Sequence, residues 1–75
     1  MNTFYLETVF TFGKYEGDTV EEIAAFDPSY IEWCIIELDG FYIDEGLIQK
    51  LTSTYENFWI SDEAKKTLEK KKLKR

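Results

Sequence analysis

Four groups of residues in this chain carry side chains that can do chemistry. Lys14 and Tyr15 sit between Gly13 and Gly17, and a cation beside an aromatic ring is the least equipment that can stack a nucleobase and touch a phosphate. Seven bases, Lys65, Lys66, Lys70, Lys71, Lys72, Lys74 and Arg75, crowd the C-terminal end, where they offer counter-charge for a polyanion. Asp39, Asp44 and Glu45 cluster around Gly40 and Gly46. Cys34 is the single thiol, and there is no histidine.

Most of this chemistry is excluded by spacing. A calcium loop needs oxygen ligands at alternating positions with a bidentate Glu at the twelfth, and the stretch Asp39 to Gly46 does not supply them. Helix capping accounts for Asp44 and surface solvation for its neighbours, so no metal site is expected. A lone cysteine cannot close an intrachain disulfide, and without histidine or a second cysteine zinc has no ligand set. Cys34 shares an apolar stripe with Ile31 and Ile35, which reads as a small buried hydrophobe rather than a nucleophile. No catalytic residue and no cofactor are expected.

The Lys14–Tyr15 pair keeps two readings. One is a nucleic-acid contact; the other is structural, with Tyr15 packed on Trp33 or Tyr30 and Lys14 lying along an aromatic face. The flanking acids Glu16 and Asp18 favour the second. Charge over the whole chain is divided in the same sense: residues 1–60 hold twelve acids against Lys14 and Lys50, net −10, and residues 61–75 hold seven bases against three acids, net +4. An acidic body repels phosphate, whereas a basic end either binds it or complements its own domain.

The elements that must position these groups fit one small domain. At 75 residues folding buries only about 60% of the surface of the unfolded chain, and the 17% aromatic content points to a core built on rings. Phe4, Leu6, Phe10 and Phe12 alternate with Tyr5, Glu7, Val9 and Thr11, the period of a half-buried strand. With the Gly13 and Gly17 turn this predicts a short β-hairpin or ribbon. Thr19 and Glu22 have the spacing of a capping box and start a helix. Asp27 and Pro28 end it and start another, with Phe26 and Ile31 as a hydrophobic staple. In that second helix Ile31, Cys34, Ile35 and Leu38 form an apolar stripe, Trp33 is read as core beside it, and Gly40 terminates it. Phe41 to Ile43 reads as a short extended link. Asp44 caps a helix that turns Ile48, Leu51 and Tyr55 inward, with Leu47 and Phe58 alongside. Ser61, Asp62 and Glu63 begin a last helix docked through Ala64, Leu68 and Leu73, its final turns expected to fray.

The run Phe12, Gly13, Lys14, Tyr15, Gly17, Thr19, Pro28, Tyr30 and Trp33, in that order, resembles the exodeoxyribonuclease X-like C-terminal domain family, a small module appended to bacterial DnaQ-type exonucleases. A family of quorum-sensing-regulated virulence factors shares the look. The resemblance covers Val9 to about Leu38. It implies an accessory domain, a link to DNA processing, and a structural role for Phe12, Gly13, Gly17, Thr19, Pro28, Tyr30 and Trp33. The family's usual pattern has bases where this chain has Glu16 and Asp18, which weakens an inherited role in binding DNA. The nuclease site of such enzymes needs four carboxylates on a larger sheet, which this chain lacks.

The reading from sequence is therefore an α+β domain, a β-hairpin or ribbon followed by three to four helices, with residues 1–60 as a compact core and 61–75 as a basic helix or tail. Its expected role is a non-enzymatic interaction module that contacts a protein, with a nuclease or other DNA-processing protein as the class the resemblance implies. The rival is a nucleic-acid accessory protein acting through Lys14, Tyr15, Lys70, Lys71 and Lys72. The start of the chain has neither the basic residues nor the apolar run of a secretory signal, and with one cysteine a cytoplasmic setting is expected and no membrane contact.

Overall fold

A computed structural model describes residues 2–73. The described elements run β1 (Asn2–Phe4), α1 (Val20–Phe26), α2 (Pro28–Glu37), β2 (Phe41–Ile43), α3 (Glu45–Thr54) and α4 (Asp62–Leu73). The domain is α+β with four helices, as the capping signals require, but its sheet is not the expected hairpin. β1 pairs with β2 in parallel, Asn2 opposite Phe41 and Phe4 opposite Ile43. Parallel strands need a crossover connection, and here α1 and α2 lie within it. The stretch read as a link is thus a strand, with Phe41, Tyr42 and Ile43 all buried.

The alternation of residues 4–11 survives without the strand. Phe4 and Phe10 are buried and Leu6 is half-buried while Tyr5, Glu7, Val9 and Thr11 are exposed, so the period reports sidedness as far as Thr11 and fails at Phe12, which is exposed. A tight turn intervenes, in which the Thr8 N–H donates to Tyr5 O (3.1 Å) and the Tyr5 N–H to Thr8 Oγ1 (2.8 Å). Beyond it the chain folds back as a minimal ribbon. Val9 bridges Thr19 in antiparallel sense, and the N–H groups of Phe10 and Gly17 donate to Asp18 O and Phe10 O, both at 2.9 Å.

The helix starts show why local chemistry is legible. Thr19 Oγ1 accepts from the Glu22 N–H at 3.2 Å and Glu22 returns the bond to the Thr19 N–H at 2.8 Å, a complete capping box. Asp44 caps α3 by accepting from the Gly46 N–H at 3.0 Å. Pro28 opens α2 as expected, yet Asp27 makes no side-chain cap bond, because its carboxylate is engaged elsewhere. The staple is not made either: Ile31 is buried, whereas Phe26 is 57% exposed and packs on Tyr15 instead.

The core is aromatic at its N-terminal end. The Phe4 ring lies 4.4 Å from Phe41 and 5.4 Å from Phe10, centroid to centroid. Ile23, Ile31, Cys34, Ile35, Leu51 and Phe58 complete the interior. Helix α2 is central, packed against α1 and α4. Its stripe of Ile31, Cys34 and Ile35 is fully buried, but Trp33 lies off that stripe and is 49% exposed, not core. Ala64 and Leu68 dock α4, whereas Leu73 is 85% exposed and does not. The third docking residue is Lys71, 7% exposed. No helix among the described residues is long and apolar enough to cross a membrane.

Candidate functional site

The turn from Gly13 to Gly17 exists because both glycines hold positive φ, 75° and 97°, where a side chain is disfavoured. At Gly13 there is a second requirement. A Cβ there would collide with the hydroxyl of Tyr30, so glycine lets the turn settle on the first turn of α2. This contact brings Lys14 and Tyr15, from the turn, onto Tyr30 and Trp33, from one face of α2.

What results is a continuous aromatic face. Tyr15 meets Phe26 and Tyr30 edge-on, with centroids 5.1 and 4.8 Å apart, and Tyr30 stacks with Trp33 at 5.8 Å and 21°. Tyr30 in turn lies 6.1 Å from the buried Phe10 ring, which ties the face to the core. Lys14 Nζ lies over both Tyr15 and Tyr30, 5.1 and 5.5 Å from their centroids. The expected packing of Tyr15 on Tyr30, with Lys14 along an aromatic surface, is present. Phe12, aligned inward by the strand pattern, sits at the rim instead, 36% exposed beside Phe10.

Asp27 is the polar centre of this face. Tyr15 donates its hydroxyl to Asp27 Oδ2 at 2.6 Å, Ser29 donates to Oδ1 at 2.8 Å, and Lys14 Nζ stands 3.8 Å from Oδ2. The bond from Tyr15, followed by that from Ser29, holds the Asp27 carboxyl below its ordinary value, against a smaller opposing effect of burial. The same bond holds the Tyr15 phenol above its ordinary value. Asp27 was read from sequence only as a cap, since nothing local reveals a partner twelve residues away. The outward turn of Phe26 was missed for the same reason.

The basic end divides. Lys70 and Lys72 are exposed, as are Lys65 and Lys66; Lys74 and Arg75 lie outside the described residues. Lys71, named with Lys70 and Lys72 as a phosphate contact, is turned inward. Its ammonium donates to Ile35 O (2.7 Å), Leu38 O (2.7 Å) and Phe41 O (2.6 Å). An ammonium has three donors, so Lys71 has none left for a phosphate. It neutralises the carbonyl end of α2, where a cation is favoured by the helix dipole. Burial holds its pKa below the ordinary value, with Asp39 acting in the other direction.

Burial pushes the Cys34 thiol up to about 11, which keeps it protonated at neutral pH. No group of three or more His, Cys, Asp or Glu among the described residues is placed to hold a metal ion. An open groove of about 620 Å³ lies between β2, α3 and α4, lined by Ile43, Ile48, Ile60 and Leu68 together with Lys65 and Lys72.

Comparison with known proteins bears on the aromatic face rather than on the groove. Residues 10–39 match the family described as exodeoxyribonuclease X-like C-terminal, which bears out the resemblance carried by Phe12 through Trp33. Exodeoxyribonuclease 10 from Escherichia coli strain K12, and its counterpart from Escherichia coli O6:H1, are each 50% identical to this chain over 35 residues. That alignment takes in 47% of this chain and 16% of the length of each relative. No solved structure matches the chain.

Proposed function

We propose that this chain, whose residues 10–39 carry the exodeoxyribonuclease X-like C-terminal motif, works as a non-enzymatic interaction domain that meets a protein partner through its aromatic face. The observation that carries this reading is the outward placement of large rings joined in one patch. Trp33 and Phe26 are 49% and 57% exposed and adjoin the half-buried Tyr15 and Tyr30. Exposed aromatics joined in one patch are the usual anchors of protein interfaces, where Trp and Tyr are enriched among the residues that dominate binding. The acids around the patch, Glu16, Asp18 and Asp27, suit a basic partner and help to steer its approach.

The relatives' name refers to exonucleases, and the aligned segment is a small part of them. A nuclease or another DNA-processing protein is therefore the partner class we favour. Exonuclease activity itself is not proposed for this chain, since among the described residues no group of three or more His, Cys, Asp or Glu is placed to hold a metal ion. With Cys34 a buried free thiol, a reducing cytoplasm suits the domain.

The rival is a nucleic-acid contact through Lys14, Tyr15 and the exposed lysines of α4. One experiment separates the two: DNA binding, single- and double-stranded, measured across salt, together with a nuclease assay in magnesium and manganese. The proposal expects no degradation and weak binding at physiological salt, little changed when the exposed Lys65, Lys66, Lys70 and Lys72 are replaced by Gln and the buried Lys71 is kept. A tight complex, lost on that replacement and weakening with a log–log slope of roughly −0.7 to −0.9 per phosphate contact, makes the rival correct.

A further inference from the structure

We propose that the corner formed by Tyr15, Tyr30 and Asp27 is a receptor for a cationic side chain, arginine foremost, brought by the partner, and that Lys14 is its built-in placeholder. The inference rests on the reading of this face as a protein contact and specifies the chemistry of the partner.

The corner already binds a cation. Two tyrosine rings stand perpendicular, 89° apart with centroids 4.8 Å from each other, and a single ammonium sits within 5.5 Å of both. A carboxylate oxygen lies 3.8 Å from that ammonium. Ring faces combined with a carboxylate are the parts from which recognition of ammonium and guanidinium groups is built. They are also held in place before any ligand arrives. Asp27 is fixed by hydrogen bonds from Tyr15 at 2.6 Å and Ser29 at 2.8 Å, one on each oxygen, so its charge does not swing with a free side chain. Tyr15 is clamped edge-on between Phe26 and Tyr30, and Tyr30 is backed by Trp33 and Phe10.

Lys14 holds the site loosely by comparison. Its side chain is 64% exposed and its ion pair is long, 3.8 Å. Arginine is better suited to this corner, because a planar guanidinium stacks on a ring while forking to a carboxylate, and an ammonium does not. A phosphate entering the same corner would meet Asp27 and be repelled. The site thus selects for a basic protein segment over a nucleic acid. Lys14 keeps the rings and the carboxylate neutralised until such a segment displaces it.

The test is a titration of the full chain with N-acetyl-arginine amide, followed by NMR at the ring resonances of Tyr15, Tyr30 and Trp33, with the uncharged N-acetyl-citrulline amide as the isosteric control. The arginine amide is expected to shift the two tyrosines, and citrulline to leave them unmoved. Lys14→Ala removes the competitor and should bind about two- to fivefold tighter, the factor corresponding to an exposed cation–π contact. Asp27→Asn should bind more weakly than the parent. Because Asp27 also organises the turn, Lys14→Ala is the deciding variant: its side chain is exposed and its loss leaves the fold intact. Equal affinity of Lys14→Ala and parent, or equal shifts from citrulline, overturns the proposal. Cross-linking of a protein through Trp33 alongside either of those results would leave the face standing and remove only the cation site. Arginine binding without any protein contact at Trp33 would do the reverse.

Discussion

Replacing Lys71 by methionine keeps an unbranched chain out to Cε, with sulfur in place of Cδ, and removes the ammonium, so it reads chiefly what three hydrogen bonds at the end of α2 contribute. The carbonyls of Ile35, Leu38 and Phe41 each lose a donor at 2.6–2.7 Å. Leu38 O keeps the Phe41 N–H at 3.0 Å, so its loss is partial. A buried polar group left short of a partner costs about 1–3 kcal/mol. The relief of no longer burying a charge, visible in the lowered pKa of Lys71, offsets part of the total. A net destabilisation of about 3 kcal/mol follows, much of the roughly 5 kcal/mol typical of a marginal domain. In urea unfolding, with a slope of about 1 kcal/mol per molar for a chain of this size, the midpoint should fall by roughly 3 M. Lys70→Met and Lys72→Met alter exposed residues on either side and should stay within about 0.5 kcal/mol of the parent. If all three variants unfold alike, Lys71 is not the pin between α4 and α2, and the reasoning fails.

Three further outcomes follow from the same contacts. Gly13→Ala should destabilise more than Gly17→Ala: both pay roughly 1–2 kcal/mol for a positive φ, but only Gly13 faces the Tyr30 hydroxyl while Gly17 faces open space, and equal unfolding midpoints would deny that contact. Trp33→Ala should cost only about 1 kcal/mol, half its ring being solvated, and lower Tm by roughly 4–8 °C; a largely unfolded variant would return the ring to the core. The Tyr15–Asp27 bond should shape stability at both ends of the pH range. The folded Asp27 carboxyl lies below its ordinary 3.8, so on acidification the unfolded chain takes up the proton first, and stability present above that value is lost as pH falls through the folded pKa. The folded Tyr15 phenol lies above its ordinary 10.0, so stability present below that value is lost as pH rises through the folded pKa. Tyr15→Phe should flatten both limbs of a pH series of urea midpoints, and unchanged limbs would assign them to other groups.

What could be read from the sequence was what neighbouring residues decide among themselves. The Thr19 capping box, the Asp44 cap, Pro28 at the start of α2 and the inward stripe of Ile31, Cys34 and Ile35 all depend on spacings of four residues or fewer. The parallel pairing of Asn2–Phe4 with Phe41–Ile43 joins segments nearly forty residues apart, and no local pattern announces it; alternation in residues 4–11 suggested a hairpin because sidedness and strand geometry share one period. Lys71 is different, because a signal was present. Ala64, Leu68 and Lys71 follow i, i+4, i+7 and lie on one face of α4, but a lysine within a run of lysines reads as solvated, and Leu73 was assigned to the docking face in its place. Of the aromatic face, Lys14, Tyr15, Tyr30 and Trp33 were legible as a group from their resemblance to a family. Asp27, which organises them, was not, since its capping position next to Pro28 offered a sufficient local explanation.

The most direct test of the account places a photo-reactive benzoylphenylalanine at Trp33, at the exposed end of the aromatic face beside Tyr30, and a second at Lys50, exposed on α3, and irradiates each in cells that express the full chain. The account predicts a defined cross-link to protein from position 33, diminished when Tyr30→Ala is combined with it, and none of that species from position 50. Cross-linking of position 33 to nucleic acid, or the same protein species from both positions, would contradict it.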